Sequence, residues 1–186
     1  MLLCMKPNWF IALPVSAGDW FAPLVADAPA GVRRFHPDDL HATVAFLGAC
    51  GRPAALAAWR SLDALAHPPI RARLGVVRPM GNRRRPSAFS VTFTEGNEPL
   101  SALIGAWRTE ALAIAGARPA TRPPLPHVTV ARPPRRAADG VREAGLAWMR
   151  SRERVGVQVV IDRVALYTWS EDRRSRLFTI VEERTL

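Results

Sequence analysis

The sequence predicts an α+β fold with two similar lobes, each contributing one motif strand to a shared central cleft. Strand-type and helix-type patterns alternate along the 186 residues, and the order helix, strand, helix, strand pair occurs in both halves. Each half also contains the tetrad His-Xaa-Thr-Val. The two copies, His41-Ala-Thr-Val and His127-Val-Thr-Val, begin 86 residues apart, close to half the chain. One structural unit used twice, with an approximate two-fold axis, explains this arrangement.

The first half begins with strand 8–14, a Pro-interrupted helix over 16–28 and the first motif strand over 40–48, which ends between Gly48 and Pro53. A helix over 54–66 is predicted because its apolar residues recur at helical spacing; these are Leu56, Trp59, Leu62 and Leu65. Two alternating strands follow over 70–78 and 88–94, and the loop 79–87 joins them.

The second half repeats this order. A helix runs from 97 or 98 to 115, with Pro99 in its first turn, where a missing N–H costs little. A Pro-rich connection over 116–126 leads to the second motif strand, 127–132, and then to a helix over 137–152. The chain ends in two strands, 156–168 and 176–182, separated by the polar turn 170–174.

The charge of the chain indicates an anionic partner. The formal net charge is +10, from 26 basic and 16 acidic residues, and Lys6 is the only lysine. Arginine presents a planar fork of donors that matches phosphate, and a basic surface attracts nucleic acid by releasing counterions. A GC-rich genome would also favour arginine over lysine, but it would not explain the excess of bases over acids.

Other features of the composition exclude several protein classes. No apolar run reaches the roughly 18 residues needed to cross a bilayer, and Lys6, Pro7 and Asn8 interrupt any secretory signal. We therefore expect a cytoplasmic protein without membrane contact. Cys4 and Cys50 are too few for a disulfide framework and lack metal-type spacing. We expect no cofactor, and a monomer is the simplest assembly.

The repeated tetrad is suited to acid–base chemistry. Residues i and i+2 of a strand share a face about 6–7 Å apart, so each copy presents an imidazole beside a hydroxyl. With an unperturbed pKa of about 6.5, one histidine can act as a base while the other acts as an acid in displacement at phosphorus. The hydroxyls of Thr43 and Thr129 would hold the phosphate oxygens. No His-Xaa3-His spacing or acidic cluster accompanies either motif, so we expect no metal.

A single His-Xaa-Thr triplet has an ordinary explanation. Threonine is favoured in strands, and a half-buried histidine is commonly a hydrogen-bonded core residue. Two copies at matched places in two similar halves favour one composite site over two coincidences.

The segments VRRFHPDDL, HATVAFLG and PHVTVAR, and the C-terminal VALYTWSEDRRSRLFTIVEERTL, resemble the bacterial and archaeal RNA 2′,3′-cyclic phosphodiesterases, also called 2′-5′ RNA ligases. These enzymes are part of the two-histidine phosphoesterase superfamily, named for its HxTx motifs. The resemblance covers nearly the whole chain, and implies a single domain over 1–186 with antiparallel sheets, outer helices and a concave cleft. It also implies metal-independent hydrolysis of 2′,3′-cyclic phosphate RNA ends to 2′-phosphate, with reversible ligation.

The same resemblance implies roles for individual residues. His41 would be the proton donor to the leaving 3′ oxygen and His127 the proton acceptor that activates water, while Thr43 and Thr129 grip the phosphate. From sequence alone the two histidines are interchangeable, because the halves are pseudo-symmetric, and the reverse reaction would exchange their roles.

Two further residues occupy matched positions in the repeats. Phe46 and Arg132 each lie five residues after a motif histidine. Strict alternation places both on the face opposite the histidines, where Phe46 is core and Arg132 structural. If each strand contains a bulge, Phe46 could instead stack on a base and Arg132 could pair with phosphate.

Arginine clusters on predicted loops complete the set of candidates. Arg83, Arg84 and Arg85 form the densest one and could guide an RNA backbone, although a solvated loop is the ordinary explanation. The same explanation applies to Arg173 and Arg174. Trp169, beside the terminal turn, is the best aromatic candidate for the rim of the cleft.

The predicted substrates are RNA ends or small nucleotide cyclic phosphates. Two alternatives remain open: a small substrate such as ADP-ribose 1″,2″-cyclic phosphate or a 2′-5′ linked oligonucleotide, and a non-catalytic RNA-binding module with the same fold. A module that only binds would not need paired proton carriers.

Overall fold

A computed structural model describes residues 6–63, 66–82 and 85–186. Over these residues it contains nine strands, four α-helices and one 3-10 turn. In chain order they are β1 (Trp9–Pro14), α1 (Gly18–Val25), β2 (Arg33–Arg34), a 3-10 turn (Pro37–Asp39), β3 (His41–Gly48), α2 (Arg52–Arg60), β4 (Ile70–Gly81), β5 (Pro86–Glu95), α3 (Asn97–Ile114), β6 (His127–Arg132), α4 (Asp139–Arg150), β7 (Gln158–Ile161), β8 (Arg163–Trp169) and β9 (Phe178–Thr185). No helix within these residues is both long and apolar enough to cross a membrane.

The strands form one curled antiparallel sheet in the order β7-β4-β5-β6-β3-β1-β8-β9, and the short β2 pairs with β6. Strand β3 carries the first motif and β6 the second, and they are neighbours at the centre of the sheet. This arrangement confirms the predicted α+β class, with antiparallel strands, outer helices and motif strands that meet. The predicted two sheets are joined into one.

Each motif strand lies at the inner edge of a four-stranded arm. We call β3, β1, β8 and β9 the first arm, and β6, β5, β4 and β7 the second arm. Each arm contains strands from both halves of the sequence, so the lobes are not the sequence halves. The halves exchange strands.

The sheet has two different faces because side chains alternate along each strand. On β1, Trp9, Ile11 and Leu13 join the large core shared with the helices, whereas Phe10 and Ala12 join a small separate cluster on the opposite face. We call that opposite side the open face. The helices cover one side only, which leaves the open face available for a ligand.

The last predicted strand pair differs from the structure. The expected single strand 156–168 is two strands, β7 and β8, with only Asp162 between them. Strand β7 pairs with β4 in the second arm, and β8 pairs with β1 and β9 in the first. One residue spans at most about 3.6 Å, so the two arms approach each other closely here and the sheet must curl. The alternating sequence stays extended through the bend and gives no sign of it.

Smaller differences concern element ends. Strands β4 and β5 extend to Gly81 and from Pro86, so the connection between them is shorter than the predicted loop 79–87. Helix α2 begins at Arg52 instead of 54 and α4 covers Asp139–Arg150 instead of 137–152. The turn before β3, predicted as plain connection, contains β2 and the 3-10 turn.

The packing of α4 on the sheet predicts a large difference between two glycine substitutions. A Cβ on Gly145 would lie 2.7 Å from the fully buried ring of Phe89, whereas a Cβ on Gly140 of the same helix meets nothing within 4 Å. We expect Gly145→Ala to lower the free energy of unfolding by about 1–3 kcal/mol through overpacking. Gly140→Ala should leave it unchanged or raise it by about 0.5–1 kcal/mol. Urea unfolding checks both, and equal effects of the two substitutions would contradict this packing.

Candidate active site

The two motifs are brought together by one register pair between β3 and β6. Ala42 lies opposite Val128 in the antiparallel ladder, and both side chains are fully buried on the helix side. The neighbouring residues therefore project from the open face. The same register places His41 across from Thr129, and Thr43 across from His127. Side chains in such pairs have Cβ atoms about 4.5–5.5 Å apart, so the four form one compact group.

Both motif strands contain a bulge immediately after the threonine. Ile11 and Ala12 of β1 pair with Ala45 and Thr43, which leaves Val44 as an extra residue in β3. In the second arm, Phe89 and Ser90 of β5 pair with Ala131 and Thr129, which leaves Val130 as the extra residue in β6; two consecutive buried residues mark each bulge, Val44 and Ala45 in β3 and Val130 and Ala131 in β6. An extra residue reverses the alternation beyond it.

The bulges correct the placement that strict alternation gave Phe46 and Arg132. Phe46 pairs with Phe10 of the open-face cluster and is 57% exposed. Arg132 pairs with Arg33, and its guanidinium lies over the ring of Phe35 at 5.5 Å. Both residues therefore lie on the histidine side of the sheet, at opposite ends of the motif group, and neither is buried in the core.

Each catalytic candidate histidine is held by the backbone two residues before it. Nδ1 of His41 lies 2.7 Å from the carbonyl oxygen of Asp39, and Nδ1 of His127 lies 2.6 Å from that of Leu125. A carbonyl oxygen can only accept, so Nδ1 carries a proton in both rings. Nε2 is then the nitrogen that takes up or releases a proton, and its direction is fixed by the other nitrogen's hydrogen bond.

Aromatic rings surround His41. Its ring centroid lies 4.8 Å from that of Phe10, 5.3 Å from Tyr167 and 5.5 Å from Phe178. Removal of the imidazolium from water lowers the pKa of His41 to about 4, against the raising effect of the hydrogen bond to Asp39; the charge of His127 lowers it further. His41 is therefore neutral at pH 7 in the empty cleft.

His127 instead borders a cavity of about 320 Å³ that also contacts Thr43 and Phe46. Its wall is otherwise built by α3 and the connection to β6, with apolar residues and two arginines, and includes Ile104, Arg108, Leu112, Arg118, Pro124 and Leu125. A cavity next to the motif group, with an exposed aromatic ring and nearby cations, has the features of a small-ligand site.

The two threonines have different neighbours. The hydroxyl of Thr129 lies 3.0 Å from that of Ser90, a fully buried residue directly across from it on β5. The equivalent position opposite Thr43 is Ala12, which offers no such partner. Sequence analysis did not identify Ser90, since one serine in an alternating strand carries no signal of its own.

Asp39 is the second residue that sequence analysis missed. Its carboxylate is buried and accepts hydrogen bonds from the backbone N–H groups of Leu177 and Phe178 at 2.8 and 3.1 Å. Its carbonyl group holds His41. Asp39 thus fixes both the orientation of His41 and the start of β9, which supplies the ring that covers His41. An acid two residues before the motif was the available signal.

The remaining loop candidates lie elsewhere. Arg83 and Arg84 fall outside the described residues. Arg85 is exposed, and its guanidinium pairs with Asp139 at the start of α4 at 3.1 Å. Within the described chain no group of three His, Cys, Asp or Glu side chains has a metal-binding arrangement.

No protein-family model matches the sequence, and no curated protein matches it. Solved structures match it over its whole length. Escherichia coli LigT complexed with 3′-AMP is 22% identical with a TM-score of 0.73, covering 97% of this chain and 99% of that chain. A crystal structure titled as a phosphoesterase gives 20% identity, a TM-score of 0.72 and coverage of 96% and 98%. Kluyveromyces marxianus Usb1 is 12% identical, with a TM-score of 0.51 and 98% coverage of both chains.

These likenesses confirm, at the level of the fold, the resemblance to two-histidine phosphoesterases that the sequence predicted. The chain has their curled antiparallel sheet and outer helices along its full length.

The enclosure of His41 predicts its titration. In the free protein the ring should gain a proton only as the pH falls to about 4, because the folded environment disfavours the charged form. Removing the covering ring in Phe178→Ala admits water and should raise the midpoint toward 6.5. NMR titration of the ring carbons checks this, with His41→Gln to assign the signal. A midpoint at or above 6.5 in the unsubstituted protein would show that His41 is not enclosed.

Proposed function

We propose that this protein is a metal-independent RNA 2′,3′-cyclic phosphodiesterase that opens cyclic phosphate ends to a 2′-phosphate. The observation that carries the proposal is the pair of histidines on one open face, each held through Nδ1 and each opposite the other motif's threonine. The full-length likeness to a phosphoesterase, and to LigT complexed with the nucleotide 3′-AMP, supports this class of reaction.

In the proposed reaction the cyclic phosphate lies between the two motifs. Nε2 of His127 takes a proton from a water molecule, whose oxygen attacks phosphorus. The bond from phosphorus to the 3′ oxygen breaks, and Nε2 of His41 gives that oxygen a proton, which leaves a 2′-phosphate and a free 3′-hydroxyl. The hydroxyls of Thr43 and Thr129 donate to the non-bridging oxygens. Run in reverse with a 5′-hydroxyl in place of water, the same site would form a 2′-5′ linkage.

The donor role of His41 requires the substrate. With a pKa of about 4 in the empty cleft, His41 lacks the proton that a general acid must deliver. A phosphate anion within hydrogen-bonding distance favours the imidazolium and raises this pKa. Binding and proton uptake by His41 are therefore coupled, so an empty site does not hold an unpaired buried charge.

Phe46 and the cavity beside it supply a place for the terminal base. The exposed ring of Phe46 offers a stacking surface, and stacking of a base on an aromatic side chain contributes about 1–3 kcal/mol. At the other end of the motif group, the guanidinium of Arg132 is available for a phosphate oxygen.

The activity itself is tested with 2′,3′-cyclic AMP and with an RNA ending in a cyclic phosphate, in EDTA. We expect both to be opened to the 2′-phosphate. His41→Ala and His127→Ala should each lower kcat/KM by about 10²- to 10⁴-fold, because each removes one proton transfer. His67→Ala is the matched control, since that exposed histidine bonds only to the carbonyl of Pro68. Turnover only of ADP-ribose 1″,2″-cyclic phosphate would assign a different substrate. Salt-dependent RNA binding without turnover would identify a binding module.

The polarity of the two histidines is tested by changing the leaving group. A 2′,3′-cyclic substrate with sulfur in place of the 3′ oxygen releases a thiolate, which needs no proton from the enzyme. The loss of rate in His41→Ala should shrink to within about tenfold on this substrate, whereas His127→Ala should stay impaired by about 10²-fold or more. Rescue of His127→Ala instead would reverse the assignment, and a 3′-phosphate product would show that the 2′ oxygen leaves.

A further inference from the structure

Three arginines gather at the end of the open face that lies beyond Thr129. Arg33 and Arg132 are direct cross-strand partners in β2 and β6. Arg173 comes from the turn between β8 and β9, and the guanidinium of Arg33 donates to its backbone carbonyl and, at 3.2 Å, to that of Arg174. We call Arg33, Arg132 and Arg173 the arginine cluster. It joins residues from three distant parts of the sequence.

Aromatic rings hold two of these guanidinium groups. Arg173 lies over the ring of Trp169 at 4.1 Å, and Arg132 lies over that of Phe35 at 5.5 Å. Stacking fixes the plane of a guanidinium but leaves its N–H donors free. Among the described residues, Arg132 makes no hydrogen bond or ion pair, and the buried Nε of Arg173 has no acceptor.

The cluster brings like charges together in a partly buried place. Burial lowers the pKa of Arg132, and the charges of Arg173 and Arg33 lower it further. Two carboxylates are near enough to act on the cluster, but their oxygens have other partners. Asp39 accepts from the backbone of Leu177 and Phe178, and Asp172 accepts from Ser175 and the backbone of Arg174. An anion held by the free donors would offset the repulsion.

The position of the cluster relates it to the motif group. Arg132 is three residues beyond Thr129 on β6, a distance of about 10 Å at most along an extended strand. Phe46 lies at the opposite end. A nucleotide whose base stacks on Phe46, and whose cyclic phosphate lies between the histidines, would direct its 5′ side toward the cluster.

We propose that the arginine cluster is a second phosphate subsite, which binds the phosphate on the 5′ side of the nucleotide that carries the cyclic phosphate. This inference rests on the proposed function and narrows its substrate to nucleotides with a further phosphate. That phosphate is a phosphodiester in an RNA chain and a phosphate monoester in a small nucleotide.

The test compares kcat/KM for 2′,3′-cyclic AMP, for its 5′-phosphorylated form and for the dinucleotide ApA with a terminal cyclic phosphate. We expect at least one phosphate-bearing substrate to exceed cyclic AMP by about tenfold or more, the effect of one charge-assisted contact. Gain with the dinucleotide alone identifies an RNA chain as the source. Equal gain with the 5′-phosphorylated mononucleotide identifies a small nucleotide.

The variant Arg33→Gln/Arg173→Gln should reduce this preference to about threefold or less. Arg174→Gln is the matched control: it makes the same charge change in the same turn at an exposed side chain outside the cluster, and should keep the preference. Equal rates on all three substrates in the unsubstituted protein, or an unchanged preference in the double variant, would overturn the subsite.

A binding measurement separates failure of the subsite from failure of the proposed function. Isothermal titration with ApA carrying a 2′-phosphate and with 2′-AMP requires no turnover. The dinucleotide should bind about tenfold or more tightly, and the double variant should lose this difference together with part of the salt dependence, about 0.7 in the log–log slope per phosphate lost. Absence of turnover with this preference intact would reject the enzyme and keep the subsite; equal affinities would reject the subsite.

Discussion

The contact of β3 with β6 is the constraint on which the candidate site depends. It rests on a single register pair, Ala42 with Val128, at the centre of the sheet, and both residues are fully buried. A shift of one residue would turn either motif into the core, because the side-chain period of a strand is two. The buried alanine and valines on the helix side therefore determine which residues face each other on the open side. Core packing and site geometry are consequences of the same register.

The two arms have similar backbones but different surfaces around their histidines. In the first arm three aromatic rings enclose His41 and lower its pKa, while in the second Ser90 and the cavity give His127 and Thr129 a more polar setting. The same divergence separates Phe46 from Arg132, which occupy matched positions after matched bulges. An approximately symmetric scaffold thus holds an apolar end and a cationic end. A substrate with a base on one side and phosphates on the other fits such a site in one direction.

The sequence predicted the parts of the fold that depend on local pattern. Alternation and β-branched residues located the motif strands, and β6 has the bounds expected for it. The bulges at Val44 and Val130 were not predictable, since a run of small apolar residues has the same composition with and without an extra residue. The bend at Asp162 was missed because the backbone stays extended through it. Asp39, Ser90 and the arginine cluster depend on contacts between distant segments, which local pattern does not record.

The exchange of strands between the halves also sets the order in which the site can be completed during synthesis. Both motif strands have emerged once Arg132 is made, so His41 and His127 could already be neighbours. The first arm, however, still lacks β8 and β9, which bring Tyr167, Phe178 and the backbone groups that bind Asp39. A nascent chain at that stage holds two histidines without the surroundings that distinguish them. The chemical difference between the two halves arises only with the last strands to leave the ribosome.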